Sequence, residues 1–123
     1  MKSYFIQLSF RSDDVILGSG VEVGPFAVLQ NCTLEAGVKV MPHAVIGVPT
    51  TEESAPGRVE IGSGAWISTG VQIHRGASAG AVTRIGEGAK LIDHCHIAHG
   101  CQVGAYTYIG FGVPLAGECV IGD

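Results

Sequence analysis

From Ile61 onward an apolar residue returns at every sixth position: Ile61, Ile67, Ile73, Ala79, Ile85, Leu91, Ile97, Val103, Ile109, Leu115 and Ile121. Counting each as position 1 of a hexad, position 2 is glycine at 62, 80, 86, 104, 110 and 122. Position 5 is always small: Ala65, Val71, Ala77, Thr83, Ala89, Cys95, Cys101, Thr107, Val113 and Cys119. A period of six is not the helical period of about 3.6. In extended chain the side chains alternate between faces. Positions 5 and 1 then point inward, position 6 points outward, and positions 2–4 turn a corner. Glycine at position 2 is expected near φ > 0. Three hexads close a triangular coil of about 18 residues, and coils stack about 4.8 Å apart. The pattern predicts an all-β chain, a hexapeptide-repeat parallel β-helix of triangular coils.

An earlier block repeats the pattern less cleanly. Leu17 and Val23 begin two hexads, and after a five-residue step Val28, Leu34, Val40 and Ile46 begin four more. Residues 47–60, GVPTTEESAPGRVE, break the frame and read as a protruding loop. Tyr4, Ile6, Leu8 and Phe10 alternate, which suits a strand covering the first open edge. The expected organisation is one β-helix domain over 1–123. It has an N-terminal strand or cap at 1–16, first coils at 17–46, the loop at 47–60 and regular coils at 61–123.

Composition narrows the function. A net charge of −4 with 15% charged residues gives no electrostatic case for nucleic acid or anionic membrane. The N-terminus MKSYFIQLSF lacks the uninterrupted apolar core of a signal peptide, and no run reaches the roughly 18 residues a membrane span needs. A soluble cytoplasmic protein is expected, with its four cysteines reduced.

Residues 94–101, HCHIAHGC, look at first like a metal cluster. The hexad frame separates them. Cys95 and Cys101, like Cys119 and Cys32, take position 5, where a free thiol packs as a small apolar group. His96 faces out, and His94 and His99 lie in the two flanking turns. Histidine outside and cysteine inside cannot share one ion. His94 and His99, about 15 Å apart in extended chain, cannot both reach one zinc within a single chain. No metal and no cofactor is expected. His74, at position 2, is expected on the same corner as His94, one coil earlier. His99 is expected between the small stacked residues Ala81 and Gly117, which leave room beside its imidazole. A histidine is the usual general base near neutral pH and needs an orienting partner.

The segments Val59–Gly62 (VEIG), Ile73–Ala77 (IHRGA), His96–Gly104 (HIAHGCQVG) and Leu115–Gly117 (LAG) resemble the UDP-N-acetylglucosamine O-acyltransferases of lipid A biosynthesis. The resemblance implies a left-handed winding and a homotrimer with active sites between subunits. It implies transfer of an acyl group from a thioester on acyl carrier protein, or on CoA, to a sugar-nucleotide or smaller hydroxyl. His99 matches the family's general base. His74 and His96 match substrate-site positions, and Arg75 and Gly76 belong to the same IHRG motif. The chain departs from the family at Gly100, where the family carries Asp, and at Glu118, where it carries His. It departs again at Thr50–Glu53, in place of a substrate loop. The family's later coils and C-terminal helical domain have no counterpart here. Glu118 follows Gly117, the stacked neighbour of His99. It is therefore expected to serve as the orienting acid, completing a His99–Glu118 pair.

Two other readings stay open on the residues. One is a γ-class carbonic anhydrase-like zinc enzyme, with His74, His94 and His99 as ligands across an interface. The other is a non-catalytic trimeric scaffold or binding paralogue. Its exposed last coil would let two trimers pair end to end as a hexamer.

Overall fold

The computed structural model describes residues 8–51 and 56–122. The strand expected over Tyr4–Phe10 falls partly outside that range. The described strands, in chain order, are β1 (Phe10–Arg11), β2 (Ile16–Leu17), β3 (Glu22–Val23), β4 (Val28–Leu29), β5 (Cys32–Leu34) and β6 (Lys39–Val40). They continue as β7 (Val45–Val48), β8 (Arg58–Ile61), β9 (Trp66–Ile67), β10 (Gln72–His74), β11 (Val82–Ile85) and β12 (Lys90–Leu91). The last coils contribute β13 (His96–Ile97), β14 (Gln102–Val103), β15 (Tyr108–Ile109), β16 (Pro114–Leu115) and β17 (Val120–Ile121).

Every third strand stacks on the same face. The first face runs β1-β4-β7-β10-β13-β16, the second β2-β5-β8-β11-β14-β17, and the third β3-β6-β9-β12-β15. All the described pairings are parallel. The result is the expected β-helix of triangular cross-section. Its core is built from positions 1 and 5. Leu34, Ile46, Ile61, Ile67, Ile73, Leu91 and Ile97 are fully buried, with Cys32, Ala65, Val71, Thr83 and Cys101 filling the corners between them. Each large side chain of this set contributes roughly 1.5–3 kcal/mol by leaving water. Position 6 faces out, as in Trp66, Arg84, Lys90 and Tyr108. Two outward pairs in register form ion pairs, Lys39–Glu22 at 3.1 Å and Arg84–Glu60 at 3.3 Å.

Four details differ from the expected frame. First, the inward residue of β4 is Leu29, not Val28. Leu29 is fully buried and stands beside Ile46. The five-residue step therefore falls between Leu29 and Leu34, at Asn31, which turns the shortened corner at φ 46.

Second, the stretch holding Ala77 and Ala79 is not in the wall. Both alanines are exposed. Ile61 stacks on Ile85, and Ile73 on Ile97, each twenty-four residues on rather than eighteen. Residues 75–80 are extruded as an extra half-loop. The inward pair here would be Ala77 and Ala79, which offers too little apolar surface to hold its place in the core.

Third, of the glycines at position 2 only Gly80, in the extruded half-loop, is at φ > 0 (φ 80). That conformation falls at position 4, at Gly70 (φ 72), Gly100 (φ 75), His94 (φ 62) and Glu118 (φ 63) among others. At Gly62 and Gly86 a side chain is excluded for another reason. A Cβ on Gly62 would come within 2.5 Å of the Glu87 nitrogen, and one on Gly86 within 2.5 Å of the Ala105 nitrogen. The next coil passes too close.

Fourth, strand enters both ends of the 47–60 segment, since β7 runs to Val48 and β8 begins at Arg58. The chain leaves the wall between them at the corner joining the first and second faces. The extruded half-loop 75–80 leaves at that same corner. The two excursions are bonded to one another, Gly57 N–H to Gly76 O at 3.0 Å and Gly76 N–H to Arg58 O at 3.2 Å.

Candidate functional site

The corner between the first and second faces gathers most of the singled-out residues. His74 ends β10 and turns toward it. Its Nδ1 lies 3.3 Å from the Val48 carbonyl. His96 sits at the outward position of β13, in register with Gln72 below and Pro114 above. The His74 and His96 rings are 4.8 Å apart, tilted by 52°. Burial first, and His74 second, lower the pKa of His96 from its ordinary value. Arg75 starts the extruded half-loop, its N–H donating to the Val48 carbonyl at 3.1 Å. With the Asn31 amide turned to satisfy its neighbours, the Arg75 guanidinium donates to its side-chain oxygen at 2.6 Å and its amide nitrogen donates to the Asp14 carboxylate. Gly76 is buried at the base of the half-loop, against its return, and a Cβ there would run into the Ala81 backbone.

One coil further on, His99 and Gly100 make the turn from β13 to β14. His99 is half-buried. Gly117 lies against its ring, close enough that a Cβ there would stand 2.7 Å from Nε2. The expected small neighbour on this side is therefore in position. The Gly100 amide is held from beneath. Its N–H donates to Oγ1 of the fully buried Thr83 at 2.8 Å, and its carbonyl accepts from Gln102 Nε2 at 3.2 Å. Gln102 also donates to the Val82 carbonyl at 2.8 Å. Thr83 and Gln102 thus fix the turn that carries His99. They were not singled out from the sequence. The available signal was a hydroxyl in the inward position 5, where it must find a hydrogen-bond partner.

Glu118 repeats the turn one coil higher. Its N–H donates to the His99 carbonyl at 3.0 Å. Its carboxylate lies directly against Gly100, in the space a side chain there would need. Among the described residues no hydrogen bond or ion pair joins the Glu118 carboxylate to the His99 imidazole.

His94 is not on the corner expected for it. His74 lies where the first face meets the second, whereas His94 turns the corner between the third and first faces. Its ring covers Gly70 and meets Phe111 edge-on, 5.9 Å away at 84°. Lower on that corner His43 stacks on Phe26 at 5.3 Å. The discrepancy follows from the extruded hexad, which shifts the stacking after Ile73. Among the described residues no three His, Cys, Asp or Glu side chains are gathered to hold a metal ion, and no helix is long and apolar enough to cross a membrane. A shallow groove of about 470 Å³ crosses the second face between Glu60, Arg84, Gln102 and Val120, away from the three histidines.

Comparison with known proteins gives this corner a setting. Residues 82–113 match the bacterial transferase hexapeptide family (six repeats). The chain is 32% identical over 100 residues to the acyl-[acyl-carrier-protein]–UDP-N-acetylglucosamine O-acyltransferases of Brucella ovis and Brucella canis. Each match covers 63% of this chain and 36% of the relative, so the chain spans about a third of the length of those relatives. Among solved structures it is similar to the UDP-N-acetylglucosamine acyltransferase of Bacteroides fragilis, with a TM-score of 0.74 and 25% identity over 92% of this chain and 53% of that one. The Acinetobacter baumannii enzyme gives 0.73 and 25% over 94% and 54%. The fold is the left-handed parallel β-helix of these transferases.

Proposed function

From a hexapeptide-repeat chain similar to the UDP-N-acetylglucosamine O-acyltransferases, we propose an O-acyltransferase that moves an acyl group from a thioester to a hydroxyl, with His99 as general base. The observation that carries this reading is the half-buried His99 ring, resting on Gly117 in a turn fixed through Gly100 by Thr83 and Gln102. His99 takes the proton of the acceptor hydroxyl as its oxygen attacks the thioester carbonyl. The tetrahedral intermediate collapses, the C–S bond breaks, and the thiolate leaves with a proton.

Glu118 is the orienting acid in this reading. Its N–H holds the His99 carbonyl, and its carboxylate lies on the residue next to the base. His74 and His96, in ring contact on the adjoining face, contribute hydrogen-bonding groups for the acceptor, and Arg75 and Gly76 shape the rim beside them. The donor is acyl carrier protein or CoA, and the acceptor a sugar nucleotide or a smaller hydroxyl compound. The working form is a cytoplasmic homotrimer with the corner at a subunit boundary.

The test is thiol release from acyl carrier protein and acyl-CoA thioesters in the presence of hydroxyl acceptors, comparing the parent chain with His99→Ala. Loss of release by about 10²–10⁴-fold in His99→Ala is the expected result. Equal rates in the two would overturn the assignment of the base. A non-catalytic trimeric scaffold is the second reading, favoured by the absence of a bond between the His99 imidazole and a carboxylate among the described residues. It predicts no thiol release above buffer from the parent chain.

A further inference from the structure

Cys101 and Cys119 occupy the same inward position in successive coils, and the register sets them side by side. Gln102 pairs with Val120, and the Gln102 N–H donates to the Cys119 carbonyl at 2.8 Å. On the other side Glu118 N–H bonds the His99 carbonyl at 3.0 Å. Adjacent strands lie about 4.8 Å apart, inside the roughly 4.4–6.8 Å Cα separation that a disulfide spans. The other cysteines have no such neighbour. Cys32 is paired with Val59, and the Cys95 strand ends lie between Val71 and Val113.

We propose that Cys101 and Cys119 are a reversible redox-modification site, a dithiol oxidised to an intrachain disulfide by small-molecule disulfides such as glutathione disulfide. The half-buried Cys119 is the entry point, and the buried Cys101 the resolving thiol. The Cys119 thiolate attacks one sulfur of glutathione disulfide, whose S–S bond breaks and releases a glutathione thiolate. Cys101 then loses its proton and attacks the Cys119 sulfur of the mixed disulfide, and a second glutathione leaves. Two protein thiols are oxidised by two electrons, and one glutathione disulfide is reduced to two glutathiones.

The position gives the modification a local consequence. In the reduced chain the Cys101 thiol donates to the Ala116 carbonyl at 3.0 Å. Oxidation removes that donor. Ala116 precedes Gly117, which lies against the His99 ring, and Cys119 follows Glu118. The bridge therefore pins together the two turns of the candidate site, whether or not that site transfers acyl groups. Cys32 and Cys95 remain thiols. Burial holds their pKa values at about 12 and about 11, far from thiolate at neutral pH.

The test equilibrates the intact protein with glutathione and glutathione disulfide, alkylates free thiols with iodoacetamide, and maps the peptides by mass spectrometry before and after dithiothreitol. The expected result is a Cys101–Cys119 cross-linked peptide that dithiothreitol reverses, with Cys32 and Cys95 alkylated only after unfolding. In Cys101→Ser the cross-link is lost and glutathione stays on Cys119, while circular dichroism confirms that the variant is folded. Persistent glutathione on Cys119 of the parent chain would overturn the proposal, as would Cys119–Cys119 linked pairs of chains or no oxidation of either residue.

Discussion

The Glu118 carboxylate fills the space into which a side chain at Gly100 would project. The two residues sit in equivalent turns of successive coils, both at positive φ, 75° for Gly100 and 63° for Glu118. This coupling predicts non-additive mutations. Gly100→Asp alone should destabilise by more than the ~1–3 kcal/mol cost of strained backbone, because the new side chain meets Glu118. Adding Glu118→Ala should restore part of that loss, with a coupling of about 0.5–3 kcal/mol in a urea-unfolding double-mutant cycle. Strict additivity would mean that the two turns are independent.

Thr83→Val keeps the shape of the inward position but removes the acceptor of the Gly100 N–H, a 2.8 Å bond made by a side chain with no exposure. The stranded amide should cost about 1–3 kcal/mol. Hydrogen exchange at the Gly100 amide should accelerate more than exchange at Leu91 on the opposite face. Uniform acceleration would point to global loosening instead.

His96 gives a pH dependence with a definite sign. Burial and His74 hold its folded pKa below the ordinary value of 6.5, so the unfolded chain takes up a proton first as pH falls. Stability is therefore full above that value and declines on acidification through it. Gln72, Pro114 and His74 are the groups that face it. His96→Gln should flatten the change in urea midpoint between about pH 8 and about pH 5. The Asp14 carboxyl is lowered chiefly by its bond from Ser12 and lies below the ordinary 3.8, so it acts in a separate, more acidic window.

Two glycine replacements separate close approach from backbone sign. Gly64 has φ 71 and open space around a Cβ, so Gly64→Ala should cost only about 1–2 kcal/mol. Gly86 has no positive φ, but its Cβ would stand 2.5 Å from the Ala105 nitrogen. Gly86→Ala must push two coils apart and should be the more damaging of the two by thermal unfolding. The reverse order would mean that corner conformation at position 4 outweighs coil spacing at position 2.

The hexad from Ile61 and the inward placement of Cys95 and Cys101 were legible because both are local. An apolar residue every sixth place, with a small one two before it, fits only a flat wall and a turned corner. The same locality misread the glycines. Absence of a side chain is consistent with positive φ and with close packing, and only the neighbouring coil distinguishes them. It also set Val28 in the place of Leu29, since both are apolar and the five-residue step could be drawn on either side of them.

For the candidate site, the residues were legible and their company was not. The sequence by itself determined the fold and the outward or corner position of His96 and His99, because strand alternation follows from the backbone. Only the tertiary structure decided that residues 75–80 leave the wall. Ala77 and Ala79 satisfy the repeat yet bury too little apolar surface to stay in it. That one extrusion lengthens the coil, brings His74 against His96 and sends His94 to another corner, because stacking depends on how many residues the core retains between one rung and the next.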